Sequence, residues 1–157
     1  MSNYTYERQQ SELKKDGEYE VRIEKMEVRT LPSGVEKLFL QYRIRDDIKG
    51  QAYKGACIFE DIWHEKDNPN VFNRKRINQL LGTQDVKEGT VFDSINDVIN
   101  FLLGKPLIVV LVTKYDDYKG ENINSVNYYR SSKQKPKTMG ETTQQKPNVV
   151  DDKDLPF

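Results

Sequence analysis

Apolar and polar residues alternate from Glu18 to Arg29. Tyr19, Val21 and Ile23 are separated by Glu20 and Arg22, the period-two pattern of a strand with one buried face. The phase changes at Met26 and Val28, so a bulge near Glu24-Lys25 is expected to return the second half to the same core. Leu31-Pro32-Ser33-Gly34 reads as a turn, because proline sets φ and glycine accepts a positive φ. A second strand is predicted from Val35 to Arg45. Leu38, Leu40, Tyr42 and Ile44 share one face; Phe39, Gln41, Arg43 and Arg45 share the other. A third strand is predicted from Gln51 to Trp63, bent at Gly55. Ala56, Ile58 and Ile62 have one parity, and Tyr53, Cys57, Phe59 and Trp63 the other. The pattern does not decide which parity is inside.

Helical spacing follows. Phe72, Ile77, Leu80 and Leu81 form an apolar stripe over residues 71–81, with Gly82 as a stop. Asp93 or Ser94 is placed to cap a second helix over Ile95, Val98, Ile99, Leu102 and Leu103, stopped by Gly104. Residues 107–113 are almost continuously apolar, as in a strand buried on both faces. Tyr115-Asp116-Asp117-Tyr118-Lys119-Gly120 reads as a long hairpin loop. The last strand, 121–129, is weakly apolar. Ile123 and Tyr129 face inward on one parity, Val126 and Tyr128 on the other, and an edge position is expected.

After Arg130 the composition turns polar. The expected division is a flexible segment 1–15, a folded domain 16–130, a disordered linker 131–150 and an acidic tip 151–157. The order β1-β2-β3-α-β4-β5 is that of an all-β domain with a helical insertion. It suits the five-stranded, partly open barrel of the oligonucleotide-binding type. A small mixed helix-and-sheet domain of another topology is the alternative.

Composition narrows the function. The 157 residues fit one domain of ordinary size. Mean hydropathy is -0.83, and no run approaches the ~20 apolar residues of a membrane span. The first residues lack the basic and then apolar regions of a signal peptide, so a cytoplasmic setting is expected. With one cysteine and one histidine, neither an internal disulfide nor a Cys/His metal site is expected. No cofactor is expected either, since phosphate-loop and dinucleotide fingerprints are missing. Glu60/Asp61 and Asp116/Asp117 are neighbours in sequence, and on a strand neighbours point to opposite faces. Neither pair makes a two-carboxylate site, and the reading is non-enzymatic.

Lys+Arg and Asp+Glu both total 25. Residues 1–130 carry 20 basic and 21 acidic side chains, so any positive surface must come from uneven placement. Candidates for stacking on the bases of single-stranded DNA are Phe39, Tyr53, Phe59, Trp63, Tyr115 and Tyr118. Candidates for its phosphates are Arg22, Arg43, Arg45, Lys54, Lys114 and Lys119, with Arg29 secondary and Arg74-Lys75-Arg76 reading as the wet face of a helix. The plain alternative is a solvated strand face and a solvated hairpin.

Asp151-Asp152-Lys153-Asp154-Leu155-Pro156-Phe157 is more specific. A partner with an apolar pocket for Phe157 and a basic rim for Asp151, Asp152, Asp154 and the terminal carboxylate would read it, with Leu155 and Pro156 limiting the conformations to be ordered. This segment resembles the acidic tip of bacterial single-stranded-DNA-binding proteins, which usually ends in Asp-Asp-Asp-Ile-Pro-Phe; Lys153 and Leu155 depart from it. The resemblance implies recruitment of replication, recombination and repair proteins, and competition with DNA for the binding groove. Leu13-Lys14-Lys15-Asp16-Gly17-Glu18-Tyr19, Asn73 to Gly82 and Leu102-Leu103-Gly104-Lys105-Pro106-Leu107 resemble a phage family of small single-stranded-DNA-binding proteins. That likeness implies an oligonucleotide-binding barrel that protects phage single strands during replication or recombination. The runner-up is an adaptor or decoy that occupies host tip-binding pockets without binding DNA. RNA binding is a third reading. The weak last strand is open to pairing across a homodimer.

Overall fold

The computed structural model describes residues 3–6 and 13–134. Five strands and two helices follow one another as β1 (Gly17–Thr30), β2 (Glu36–Ile44), β3 (Cys57–Trp63), α1 (Arg74–Gly82), α2 (Ile95–Leu102), β4 (Pro106–Asp116) and β5 (Glu121–Ser131). All neighbouring strands are antiparallel, and the sheet order is β3-β2-β1-β4-β5.

The alternation in β2 puts Leu38, Leu40, Tyr42 and Ile44 wholly inside. From β1, Tyr19, Val21, Ile23 and Met26 join them. The change of phase is met by a register shift between Ile23 and Lys25. There Gly104 donates its N–H to the Ile23 carbonyl at 2.7 Å, and Ile23 donates to the Lys105 carbonyl at 3.1 Å. The residues after α2 thus extend the β4 pairing and keep the bulge's backbone hydrogen-bonded.

Both helices begin on side-chain caps. Asn73 accepts from the Arg76 N–H at 3.1 Å, and Ser94 accepts from the Asp97 N–H at 3.3 Å. Leu80 and Leu81 of α1 and Val98, Ile99 and Leu102 of α2 enter the core. No helix among the described residues is long and apolar enough to cross a membrane.

Several expectations are corrected. The sheet does not close into an oligonucleotide-binding barrel: the fold is a mixed α/β one, with β3 and β5 as the two edges of an open sheet. Closure requires a backbone ladder with strands ~4.8 Å apart. The described residues carry no such ladder between β3 and β5, and side chains bridge the two strands instead. Tyr129 of β5 donates its hydroxyl to the Glu60 carboxylate of β3 at 2.7 Å. Arg76 of α1 reaches Glu60 at 2.8 Å and the carbonyls of Val126 and Asn127 at 2.6 and 2.9 Å. A guanidinium thus occupies acceptors that a neighbouring strand would otherwise use.

The third strand starts at Cys57 rather than Gln51, because residues 52–55 form turns. Tyr53 there has φ of 56° and Gly55 of 80°, left-handed backbone that cannot continue a ladder. Of the two parities in β3, Ile58 and Ile62 are inside. In β5 neither single parity holds. A register shift at Val110/Leu111, with Asn127 as the extra residue, lets Val126 and Tyr129 both face inward.

Candidate nucleic-acid interface

A cleft of about 1020 Å³ lies between the β2–β3 side of the sheet and the β4–β5 hairpin. Lys37, Phe39, Phe59 and Trp63 line it from β2 and β3, while Asp116, Lys119, Asn122 and Ser125 line it from the hairpin and β5. Pleating sets the first group: with Leu38, Leu40, Ile58 and Ile62 drawn into the core, their neighbours must point outward. Pairing of β2 with β3 then places Lys37 opposite Trp63, Phe39 opposite Asp61 and Gln41 opposite Phe59.

The rings of Phe39 and Phe59 lie 5.9 Å apart at 29°. The Arg29 guanidinium covers Phe39, 3.6 Å from its centroid, and pairs with Glu27 at 2.6 Å. Lys37 lies 5.8 Å from the Trp63 ring and pairs with Asp61 at 3.1 Å. Phe59 and Trp63 retain 57% and 45% of their surface in water. Burying rings of this size would stabilise the fold, so exposed rings that line a cleft are a surface suited to flat apolar groups.

Beneath them the inward residue Glu60 anchors a polar network. Its carboxylate accepts from Tyr42 and Tyr129 and pairs with Arg76 at 2.7 Å. Burial, reinforced by Glu60, pushes both tyrosine hydroxyls well above the ordinary value. Burial opposes the charge on Arg76, but Glu60 outweighs it and the guanidinium is held charged.

The sequence candidates separate in space. Phe39, Phe59, Trp63 and Lys119 line the cleft. Tyr53 does not: its ring packs 5.9 Å from Tyr19 and its hydroxyl accepts from the Lys15 N–H at 3.1 Å. Tyr115 and Tyr118 are exposed on the hairpin, Tyr118 at 98%, outside the cleft lining. Arg43 is held by Glu24 at 2.7 and 3.0 Å and by the Gly55 carbonyl at 2.8 Å; the hydrogen bond from Arg43 lowers the Glu24 pKa. Arg22 also has interaction partners within the fold. Lys54 and Lys114 have no carboxylate partner among the described residues, but they lie away from the cleft lining.

Arg45 departs most from its expected place. The strand ends at Ile44, so Arg45 does not continue the outer face of Phe39 and Arg43. It is 3% exposed, paired with Asp47 at 2.8 Å and with Glu20 at 3.3 Å. Glu20 also accepts from the Ser132 hydroxyl at 2.6 Å and the Lys133 N–H at 2.9 Å. A buried charge needs such partners, and this pair fastens the chain beyond β5 rather than facing a ligand. Of the basic run in α1, Arg74 pairs with Glu65 at 2.9 Å and Arg76 with Glu60.

Lys37 and Lys14 were missed. Lys37 shares the parity of Phe39, a signal available in the alternation. Lys14 lines the cleft because Asn124 bonds its backbone twice, at 3.0 and 2.9 Å, a contact 110 residues apart in the chain. The cleft is not uniformly basic: Lys14, Lys37, Arg76 and Lys119 face Glu60, Asp61, Asp116 and Glu121. No group of three or more potential metal ligands occurs among the described residues. The tip residues Asp151, Asp152, Asp154, Leu155, Pro156 and Phe157 lie outside the described residues.

Comparison with known proteins finds no match among curated proteins. The family resemblance read from residues 13–19, 73–82 and 102–107 is also corrected, since the matching family has no assigned function and the sheet is not a barrel. The family model matches residues 2–138, and the chain belongs to the family described as protein of unknown function (DUF669).

Proposed function

We propose that the protein binds single-stranded nucleic acid, DNA in the first instance, in the cleft between the β2–β3 face and the β4–β5 hairpin, and performs no chemistry on it. The observation that carries this reading is the exposed aromatic surface of Phe59 and Trp63, backed by Phe39. Rings of this kind stack on bases of any sequence, at about 1–3 kcal/mol per base. Lys14, Lys37 and Lys119 supply cations at the same cleft. Because carboxylates are interleaved with them, stacking carries more of the affinity than phosphate pairing does.

The acidic segment 151–157 is proposed as a docking sequence for replication, recombination and repair proteins, acting from the cytoplasm. Its chemistry supports this: Leu155-Pro156-Phe157 offers an apolar anchor with little ordering cost, and Asp151, Asp152 and Asp154 suit a basic rim. Deleting Leu155-Pro156-Phe157 is expected to abolish capture of such proteins while leaving nucleic-acid binding intact or stronger. Equal capture by the deletion would sink the docking proposal.

The test of the main reading is fluorescence anisotropy of labelled oligo(dT), titrated at two salt concentrations with duplex as competitor. Salt-sensitive binding that resists duplex and is weakened by about 1–3 kcal/mol in Trp63→Ala is expected. No binding at low salt would overturn the reading and favour an adaptor acting through 151–157 alone, in keeping with the formal net charge of zero.

A further inference from the structure

Asp61 stands between the two exposed rings. Phe59, Asp61 and Trp63 occupy alternate positions of β3 and point to the same outer face. Phe59 and Trp63 are four residues apart, about 13 Å along a strand, several times the ~3.4 Å rise of stacked bases. Bases resting on these two rings are therefore not neighbours in one stack. A base lying between them turns its edge toward the sheet, where Asp61 sits.

Asp61 is prepared to meet that edge. Its Oδ2 accepts from Lys37 at 3.1 Å, and its Oδ1 has no hydrogen-bond donor among the described residues. The lysine offsets the carboxylate's repulsion of nearby phosphates. A carboxylate only accepts hydrogen bonds. Guanine presents adjacent N1–H and N2–H donors on its Watson–Crick edge, which is free in a single strand. Thymine presents one N–H flanked by two carbonyl oxygens, which a carboxylate repels.

We infer that Asp61 reads the edge of the base held between Phe59 and Trp63 and gives the cleft a preference for guanine over thymine. This rests on the nucleic-acid reading above and deepens it, from a site indifferent to sequence to one with a single selective position.

The test compares alternating d(TG) with oligo(dT) of equal length, in lithium salt to suppress guanine self-association. The full chain is titrated beside Asp61→Asn and Asp61→Ala. The unaltered protein is expected to bind d(TG) about 5- to 10-fold more tightly, the lower part of the range for a hydrogen-bonded base contact. Both variants are expected to bring the two affinities within about twofold while retaining oligo(dT) binding. Stronger stacking of guanine alone would leave the same ratio in the variants, and that result overturns the inference. Equal binding of both strands by the unaltered protein also overturns it. Binding of neither strand overturns the parent reading as well.

Discussion

The two faces of β3 carry the same kinds of residue to opposite ends. On the inner face Glu60, flanked by Ile58 and Ile62, has a side chain only 9% exposed, held by two tyrosine hydroxyls and Arg76. On the outer face Asp61, flanked by Phe59 and Trp63, is one-third exposed and has a single lysine partner. The carboxylates are adjacent in sequence, and the pleat alone separates them. Buried, a carboxylate must be fully partnered and becomes structural. At the surface it keeps free acceptor capacity and becomes available to a ligand. The aromatics divide in the same way: Tyr42 and Tyr129 spend their hydroxyls on Glu60, while Phe59 and Trp63 leave their surfaces in water.

The sharpest way to break this contrast is to truncate both carboxylates. Glu60→Ala leaves Arg76 and two buried hydroxyls without their shared acceptor and is expected to cost about 3–5 kcal/mol of stability. Asp61→Ala removes a surface pair and is expected to cost less than about 1 kcal/mol. Urea unfolding of the two variants checks this, and similar midpoints would erase the distinction between the faces.

Next in size are the rings. Phe59→Ala and Trp63→Ala are each expected to weaken oligo(dT) binding by about 1–3 kcal/mol, with little change in unfolding midpoint because both side chains are exposed. Anisotropy paired with unfolding separates the two effects. Loss of stability without loss of affinity would return these rings to a packing role.

The tyrosines give a pH test of the inner face. Burial raises Tyr42 and Tyr129 above the ordinary value of 10.0. Above pH 10.0 the unfolded chain gives up these protons while the folded chain retains them. The stability they contribute is therefore complete below that pH and lost as the pH rises through the folded values, at about 1.4 kcal/mol per pH unit per tyrosine. Tyr129→Phe should flatten this alkaline decline in urea midpoints; an identical decline in the variant would contradict the assignment.

The smallest effect concerns charge. Lys119 lines the cleft with no carboxylate partner among the described residues. Lys119→Ala is expected to reduce the slope of log affinity against log salt by about 0.7, the value for one phosphate contact on a single strand. An unchanged slope would remove Lys119 from the interface.

Much of the local structure was legible. The period-two run in β2, the displaced phase in β1 and the capped stripes of α1 and α2 are short-range patterns, and each became the element they implied. The outward position of Phe39 was legible for the same reason, whereas that of Phe59 and Trp63 came only with the structure, because the β3 pattern left both parities open. The cations were not legible either. Arg43 and Arg45 look alike in the strand pattern, yet Glu24 holds one at the surface and Glu20 and Asp47 hold the other inside. These partners lie on other elements or beyond the strand's end, where alternation carries no information. Tyr53 was lost to the site by a left-handed turn that no period announces.

The sequence by itself determined which residues of β1 and β2 go inward, because burial of an apolar face is a local choice repeated every second residue. The tertiary structure alone decided whether the sheet closes, because that depends on two strands far apart in the chain. Between β3 and β5, the Glu60 carboxylate, the Tyr129 hydroxyl and the Arg76 guanidinium satisfy one another and the β5 carbonyls. Their hydrogen bonds stand where a backbone ladder would have to run, and so the sheet stays open beside its exposed rings.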